Sequence, residues 1–161
     1  MIFVSTGTQK FQFNRLLESI DMLVKDGVIT DEVFCQIGFS SYKPKNCSYI
    51  DFLTQDEFEA KIGRCSMYIT HAGVGSIMTA IEHHKKTIVC PRLSRYGEHV
   101  DDHQLDICKK FQELGYVVFC EDLTCLPECI NLANQMFFEA KKKTDCKMSL
   151  IKNIRLFIDE Q

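Results

Sequence analysis

His71-Ala72-Gly73-Val74-Gly75-Ser76 lies between an apolar run, Met67-Tyr68-Ile69, and an amphipathic stretch carrying Ile77, Met78 and Ile81. The pattern reads strand, glycine turn, helix. Glycine lets a backbone approach a ligand closely. A helix start offers unpaired N–H groups and the positive end of a dipole. Together they make an anion site, most often for phosphate. A G-x-G turn alone is common and is as readily structural. The flanking residues sharpen the reading, since the imidazole of His71 and the hydroxyl of Ser76 can both donate to a phosphate or a sugar oxygen.

Strand and helix signals alternate on either side of this turn. Residues 1–5 read as a strand, followed by a helix on which Phe13, Leu16, Leu17, Ile20, Leu23 and Val24 recur at helical spacing, closed by Asp26-Gly27. Residues 33–37 and 48–50 read as strands around a turn at Lys43-Pro44-Lys45-Asn46. Thr54 and Glu57 form a capping box that predicts a helix over 55–63. The strand at 66–70 leads to a helix at 75–85, and a strand at 87–90 is stopped by Pro91. After a long loop, 91–99, comes a helix with Ile107, Cys108, Phe111 and Leu114, ended by Gly115, and then a strand at 116–120. Two helices finish the chain, one with Ile130, Ala133 and Phe137, one with Ile151, Ile154 and Ile158. Short apolar strands alternating with helices predict an α/β fold, a parallel sheet covered on both faces, in a single domain over 1–161.

Ligands of such sheets bind at the carboxyl ends of the strands. Three loops meet that condition. The first, Ser5-Thr6-Gly7-Thr8-Gln9-Lys10, matches neither the triphosphate P-loop nor the dinucleotide fingerprint, which argues against an NAD-dependent enzyme. The second is the turn at 71–76. The third holds Arg92, Arg95, Tyr96, Glu98, His99, Asp101, Asp102, His103 and Gln104, side chains suited to hydrogen bonding with sugar hydroxyls. The Asp101-Asp102 pair opens a helix, where acidic residues belong for dipole reasons, so no metal is expected there. Arg92 and Arg95 offer a partner for a uronate carboxylate.

Composition narrows the classes. The net charge of −3 argues against nucleic acid as the main partner. Lys141-Lys142-Lys143 reads as a solvated helix end, with anionic lipid as the alternative. Nine cysteines, odd in number and irregular in spacing, fit small buried thiols in a reducing compartment. No apolar stretch approaches the ~20 residues of a membrane span. Residues 1–7 read as a first strand rather than a signal peptide. The expectation is a cytoplasmic chain.

Gly7-Thr8-Gln9-Lys10-Phe11, the turn at 71–76 and Asp102-His103-Gln104, in this order and spacing, resemble the family 28-type glycosyltransferase C-terminal domain. More closely, the chain is similar to the short bacterial catalytic subunits of exopolysaccharide and capsule synthesis. It is also similar to the eukaryotic catalytic subunit that adds the second N-acetylglucosamine to a dolichol-diphosphate sugar. The resemblance implies a Rossmann-like sheet, the donor-binding C-terminal half of a GT-B enzyme. It implies a separate membrane-anchored subunit supplying the N-terminal half and recruiting this chain to the inner face of the membrane. It implies a UDP-sugar donor, a lipid-diphosphate sugar acceptor and no cofactor. By the same resemblance Gly73, Val74, Gly75 and Ser76 hold the donor diphosphate and His71 lines the pocket. Gln104 and His103 contact the donor sugar, and Gly7 and Thr8 face the cleft between subunits. Where relatives that build the peptidoglycan lipid precursor carry a ribose-holding glutamate, this chain has Thr79, with Glu82 further along the helix as a substitute.

The reaction so implied is inverting transfer, with an acceptor hydroxyl attacking the anomeric carbon and UDP leaving. Its general base is sought among His71, Glu98 and His99, or in the partner. A nucleotide-sugar-binding module without catalysis is the alternative, and it would share the diphosphate loop.

Overall fold

A computed structural model describes residues 1–135. Six parallel strands, β1 (Ile2–Ser5), β2 (Val33–Gln36), β3 (Ser48–Ile50), β4 (Met67–His71), β5 (Lys86–Cys90) and β6 (Val118–Phe119), form one sheet in the order β3-β2-β1-β4-β5-β6. Five helices connect or follow them: α1 (Asn14–Lys25), α2 (Gln55–Arg64), α3 (Val74–Glu82), α4 (His103–Glu113) and α5 (Leu126–Gln135). The α/β architecture expected from the alternation is the one observed.

Side chains alternate across the sheet with period two, and each face has its own core. Ile2, Val4, Val33, Cys35, Met67, Ile69, Ile88 and Cys90 pack with Phe13, Leu16, Leu17 and Ile20 around α1 and with Leu126 and Ala133 of α5. On the opposite face Phe3 and Tyr68 meet Ile62 of α2 and Ala80 of α3, while Val89 meets Ile77, Cys108 and Phe111. Both faces of the central strands are apolar because helices cover both, as a parallel sheet requires.

The strand order fixes where a ligand can enter. From β1 the chain crosses to β2 on one side, and from β4 it crosses to β5 on the other. The loops leaving β1 and β4 therefore diverge, and a crevice opens between neighbouring strands at their carboxyl ends.

Two boundaries depart most from the sequence reading. Strand β6 is shorter than 116–120 because Gly115, at φ +74, and Tyr116, whose N–H returns to the Phe111 carbonyl, are spent closing α4. Helix α3 stops at Glu82. His84 there takes φ +52, the N–H of His84 bonds the Ile81 carbonyl and the N–H of Lys85 bonds the Ala80 carbonyl. That is a Schellman stop made without its usual glycine, so the sequence carried no signal for it. The expected helix with Phe137, the helix with Ile151, Ile154 and Ile158, the lysines at 141–143 and Cys146 lie outside the described residues.

A buried carboxylate ties the turn before β3 to α1. Asp21, 3% exposed, accepts the N–H groups of Lys45 at 3.0 Å and Asn46 at 2.7 Å and the Tyr42 hydroxyl at 2.7 Å. Burial alone would raise its pKa, but these donors outweigh burial and hold it below the ordinary carboxylate value. Because the folded pKa is depressed, the stabilisation is complete above the unfolded value of about 3.9 and is lost as pH falls through the folded one. Asp21→Ala is expected to cost about 2–3 kcal/mol at neutral pH. Urea denaturation of both chains as a function of pH should show that difference shrinking below about pH 4.

Candidate active site

A cleft of about 680 Å³ opens at the crevice between β1 and β4. Its floor is built from the β1 loop (Gly7, Thr8, Gln9) and the β4 turn (His71 to Ser76), with Thr79 one helical turn on. Gln36, Leu53, Thr54, Gln55 and Phe58 close one end. His99, Asp101, His103, Gln104 and Ile107 close the other. The three loops singled out in the sequence thus meet at one site.

His71, the last residue of β4, sets the geometry of the floor. Its ring lies between the two glycine turns. A Cβ on Gly7 would come within 2.5 Å of His71 Cε1, and a Cβ on Gly73 within 2.3 Å of Nε2. Gly7 also holds φ +84, which a side chain would resist. Beneath the ring is a buried hydroxyl cluster. Tyr68 and Ser5 hydrogen-bond each other, both lie 3.0 Å from Thr70 Oγ1, and Thr70 Oγ1 lies 3.3 Å from His71 Nδ1. Burial and the nearby Arg92 charge push the His71 pKa down to about 3, so the ring is neutral at physiological pH.

Helix α3 begins at this turn with its N-terminus open. Gly73 is the N-cap and supplies no side-chain cap, and the first turn holds no acidic residue. The start of α2 is finished by contrast: Thr54 accepts from the Glu57 N–H, and Glu57 accepts from the Thr54 N–H at 2.9 Å. The first N–H groups of α3, on Val74, Gly75 and Ser76, therefore keep no partner from a cap. A Cβ on Gly75 would meet nothing within 4 Å, so the space beside these donors is clear of protein.

The loop between β5 and α4 holds itself in place. Three successive N–H groups bond side chains from further along: Arg92 to Gln104 Oε1 at 2.9 Å, Leu93 to Glu98 Oε2 at 3.0 Å, and Ser94 to Asp102 Oδ1 at 2.8 Å. With its oxygen turned to the Arg92 N–H, Gln104 keeps its amide N–H groups as donors for the cleft. Glu98 is buried and paired with Arg15 of α1, Nε to Oε1 at 3.1 Å and Nη2 to Oε2 at 2.9 Å. It is not among the lining residues, and as a base it has no free oxygen edge toward the cleft. The sequence expectation for Glu98 is corrected on this point: it clamps the loop to α1. Arg92 is likewise buried, and Arg95 lies over the Tyr96 ring outside the cleft, so neither faces a ligand carboxylate.

His99 differs from the other two expected bases. It lines the cleft against Phe11, and its Nδ1 is 3.1 Å from Asp101 Oδ1. The Asp101 backbone N–H also lies 3.4 Å from Nδ1, so Asp101 faces this nitrogen with both a donor and an acceptor. In the tautomer that donates from Nδ1 to the closer carboxylate, Nε2 keeps a lone pair and has no partner among the described residues. Asp101 also accepts the His103 N–H at 3.1 Å. Sequence reasoning counted Asp101 among the polar side chains of this loop but missed its pairing with His99, although the His-x-Asp spacing was its signal. It missed Gln36, Leu53 and Phe58 altogether, because nothing local marks one end of a cleft. Thr79 lines the cleft with its hydroxyl donated to the Gly75 carbonyl at 3.1 Å, and Glu82 is not among the lining residues.

The model of the glycosyltransferase family 28 C-terminal domain matches residues 1–158. Three curated relatives are the UDP-N-acetylglucosamine transferase subunit ALG13 of different organisms. The Saccharomyces cerevisiae protein is 44% identical over 54 residues, 34% of this chain and 25% of that protein. The Homo sapiens protein is 25% identical over 83% of this chain and 12% of its own. The Candida glabrata protein is 30% identical over 74% of this chain and 55% of its own. The matches thus span from 12% to 55% of those relatives' lengths. Among solved structures, the glycosyltransferase of kitacinnamycin superposes with a TM-score of 0.61 at 17% identity, over 83% of this chain and 34% of that one. The glycosyltransferase SnogD from Streptomyces nogalater gives 0.53 at 19%, over 74% and 31%. These two are GT-B enzymes, and the likeness confirms the Rossmann-like half of that fold.

The glycines separate by role. Gly7→Ala is expected to cost about 3 kcal/mol, from the left-handed backbone and the His71 ring together. Gly73→Ala should cost about 1–3 kcal/mol from the ring alone. Gly75→Ala should leave the melting temperature unchanged or slightly raised, since alanine suits a helix better than glycine. Thermal melts of the three variants check this ranking.

Proposed function

The chain belongs to the glycosyltransferase family 28 C-terminal domain family, and from that premise we propose that it is the catalytic subunit of a two-component inverting glycosyltransferase. It moves a sugar from a UDP-sugar to a lipid-diphosphate-linked acceptor. The observation that carries this reading is the open N-terminus of α3, with unclaimed N–H groups beside the clear space at Gly75. A dianionic diphosphate fits such a site by both hydrogen bonding and dipole. The relatives are named as UDP-N-acetylglucosamine transferase subunits, which supports both a UDP-sugar donor and a second subunit.

The cleft then divides by chemistry. The diphosphate sits at Gly73 to Ser76 over the neutral His71. The sugar reaches the end lined by His103 and Gln104, where the Gln104 amide donates to a hydroxyl. The nucleoside occupies the end lined by Leu53 and Phe58. As the glycosidic bond to UDP breaks, negative charge grows on the departing diphosphate, and donors already aimed at that position stabilise it without reorganising. The acceptor hydroxyl attacks the anomeric carbon from the opposite face. His99, held by Asp101 with Nε2 free, receives its proton. Gly7 and Thr8 face the side on which the second subunit closes over the cleft. That partner is membrane-anchored and brings this chain to the lipid acceptor at the cytoplasmic face. Among the described residues no helix is long and apolar enough to cross a membrane itself. Service in exopolysaccharide or capsule synthesis is supported by the resemblance of the three loop motifs to short bacterial subunits.

Calorimetric titration should show UDP binding to this chain alone, with chelator present; no binding at millimolar UDP to a folded chain would overturn the donor reading. Gly75→Ala should fold normally and weaken UDP binding about tenfold or more, because its methyl enters the space the diphosphate needs. Gln104→Ala should retain UDP binding while losing transfer from the UDP-sugar once the membrane partner is supplied. Unchanged transfer by that variant would remove the sugar contact from the proposal.

A further inference from the structure

Arg92 is fully buried, yet its charge has no counter-ion of its own. Its Nη2 donates to the carbonyls of Thr6 and, at 3.2 Å, Phe11, near the two ends of the loop leaving β1. Its Nε and Nη1 have no hydrogen-bond partner. The nearest carboxylate is already spent: both oxygens of Glu98 bond Arg15, and Oε2 also takes the Leu93 N–H. Glu98 favours the Arg92 charge from a distance but forms no ion pair with it. Two guanidinium groups thus share one carboxylate, and the cluster keeps a net positive charge inside the protein. His71, which lines the cleft, does not offset that charge: burial first, and the Arg92 charge second, hold its ring neutral. Such an arrangement costs stability, because a charge removed from water is compensated only by a well-placed partner.

The cleft shows what the missing partner is. No lysine or arginine is among its lining residues, and Asp101 is the one acidic residue there. An anion in the cleft meets the α3 N-terminus and the field of Arg92, whose guanidinium bonds the Thr6 carbonyl next to Gly7 and acts on His71, both of which line the cleft. That field crosses protein rather than water, so it is weakened little by dielectric or by salt. We infer that Arg92 is a fixed electrostatic element of the donor site, its buried charge balanced by the diphosphate of the bound donor. It touches no reacting atom and acts through the protein interior. This inference rests on the donor reading of the cleft and adds the group that selects for ligand charge.

The test uses the unsubstituted chain, Arg92→Lys and Arg92→Met, each titrated with UDP and with uridine. Arg92→Lys, which keeps the charge, should hold most of the UDP affinity. Arg92→Met should bind UDP about tenfold more weakly and uridine as the unsubstituted chain does. In that variant the His71 imidazole, followed by NMR, should titrate at higher pH. Equal UDP affinity in Arg92→Met overturns the inference. So does a parallel loss for uridine, which would mean that Arg92 only shapes the loop. If Arg92→Met does not fold, Arg92→Gln, which keeps a donor without the charge, takes its place; failure of both neutral variants to fold would make Arg92 a purely structural requirement and would also overturn it. UDP failing to bind the unsubstituted chain would instead sink the donor reading, and this inference with it.

Discussion

The imidazole of His71 fills the gap between two backbone turns that leave neighbouring strands in opposite directions. A switch in strand order opens that gap by topology, and something must occupy it without closing the crevice above. The ring does so because both turns present glycine to it, at Gly7 and Gly73. It is neutral, since burial disfavours a charge there and the Arg92 charge adds to that. The direction in which α3 starts, and so the aim of its first N–H groups, follows from this packing. Much of the site's geometry is therefore set by a side chain that need not react.

A second level of organisation lies in the long loop before α4. Its polar richness reads in the sequence as ligand chemistry, but most of it is spent on the loop itself. Glu98, Asp102 and Gln104 each take one of three consecutive backbone N–H groups, and Glu98 adds the clamp to Arg15. A long loop at a sheet edge has backbone groups to satisfy, and side chains supply what strands cannot. What this leaves for the cleft is small and well defined: the Gln104 amide, the His99–Asp101 pair and His103.

The fold was legible because its signals are local. The continuous apolar strands, the Thr54 capping box and the glycine turn each declare themselves within a few residues, and the structure places all six strands. The three loops that line the cleft were legible because strand ends in a parallel sheet share an edge. What failed to show was pairing over distance. Nothing near Glu98 in sequence reveals Arg15, which lies 83 residues away, and nothing near Arg92 reveals that its guanidinium points inward to the Thr6 carbonyl rather than out to a ligand. The end of α3 was misread for a different reason, since His84 adopts a conformation that sequence rules reserve for glycine.

The hydroxyl cluster of Ser5, Tyr68 and Thr70 beneath His71 has an optical consequence. The chain contains no tryptophan and five tyrosines, so tyrosine dominates its near-ultraviolet absorption and emission. Tyr68 is fully buried, packed at 5.3 Å against the Phe3 ring, with its hydroxyl bonded to Ser5 and Thr70. A phenol fixed in one orientation by its neighbours gives a strong circular-dichroism signal, and that signal changes when the hydrogen bonds around it are redistributed. The protein thus carries an intrinsic reporter beneath the residue that lines its cleft, legible without any label.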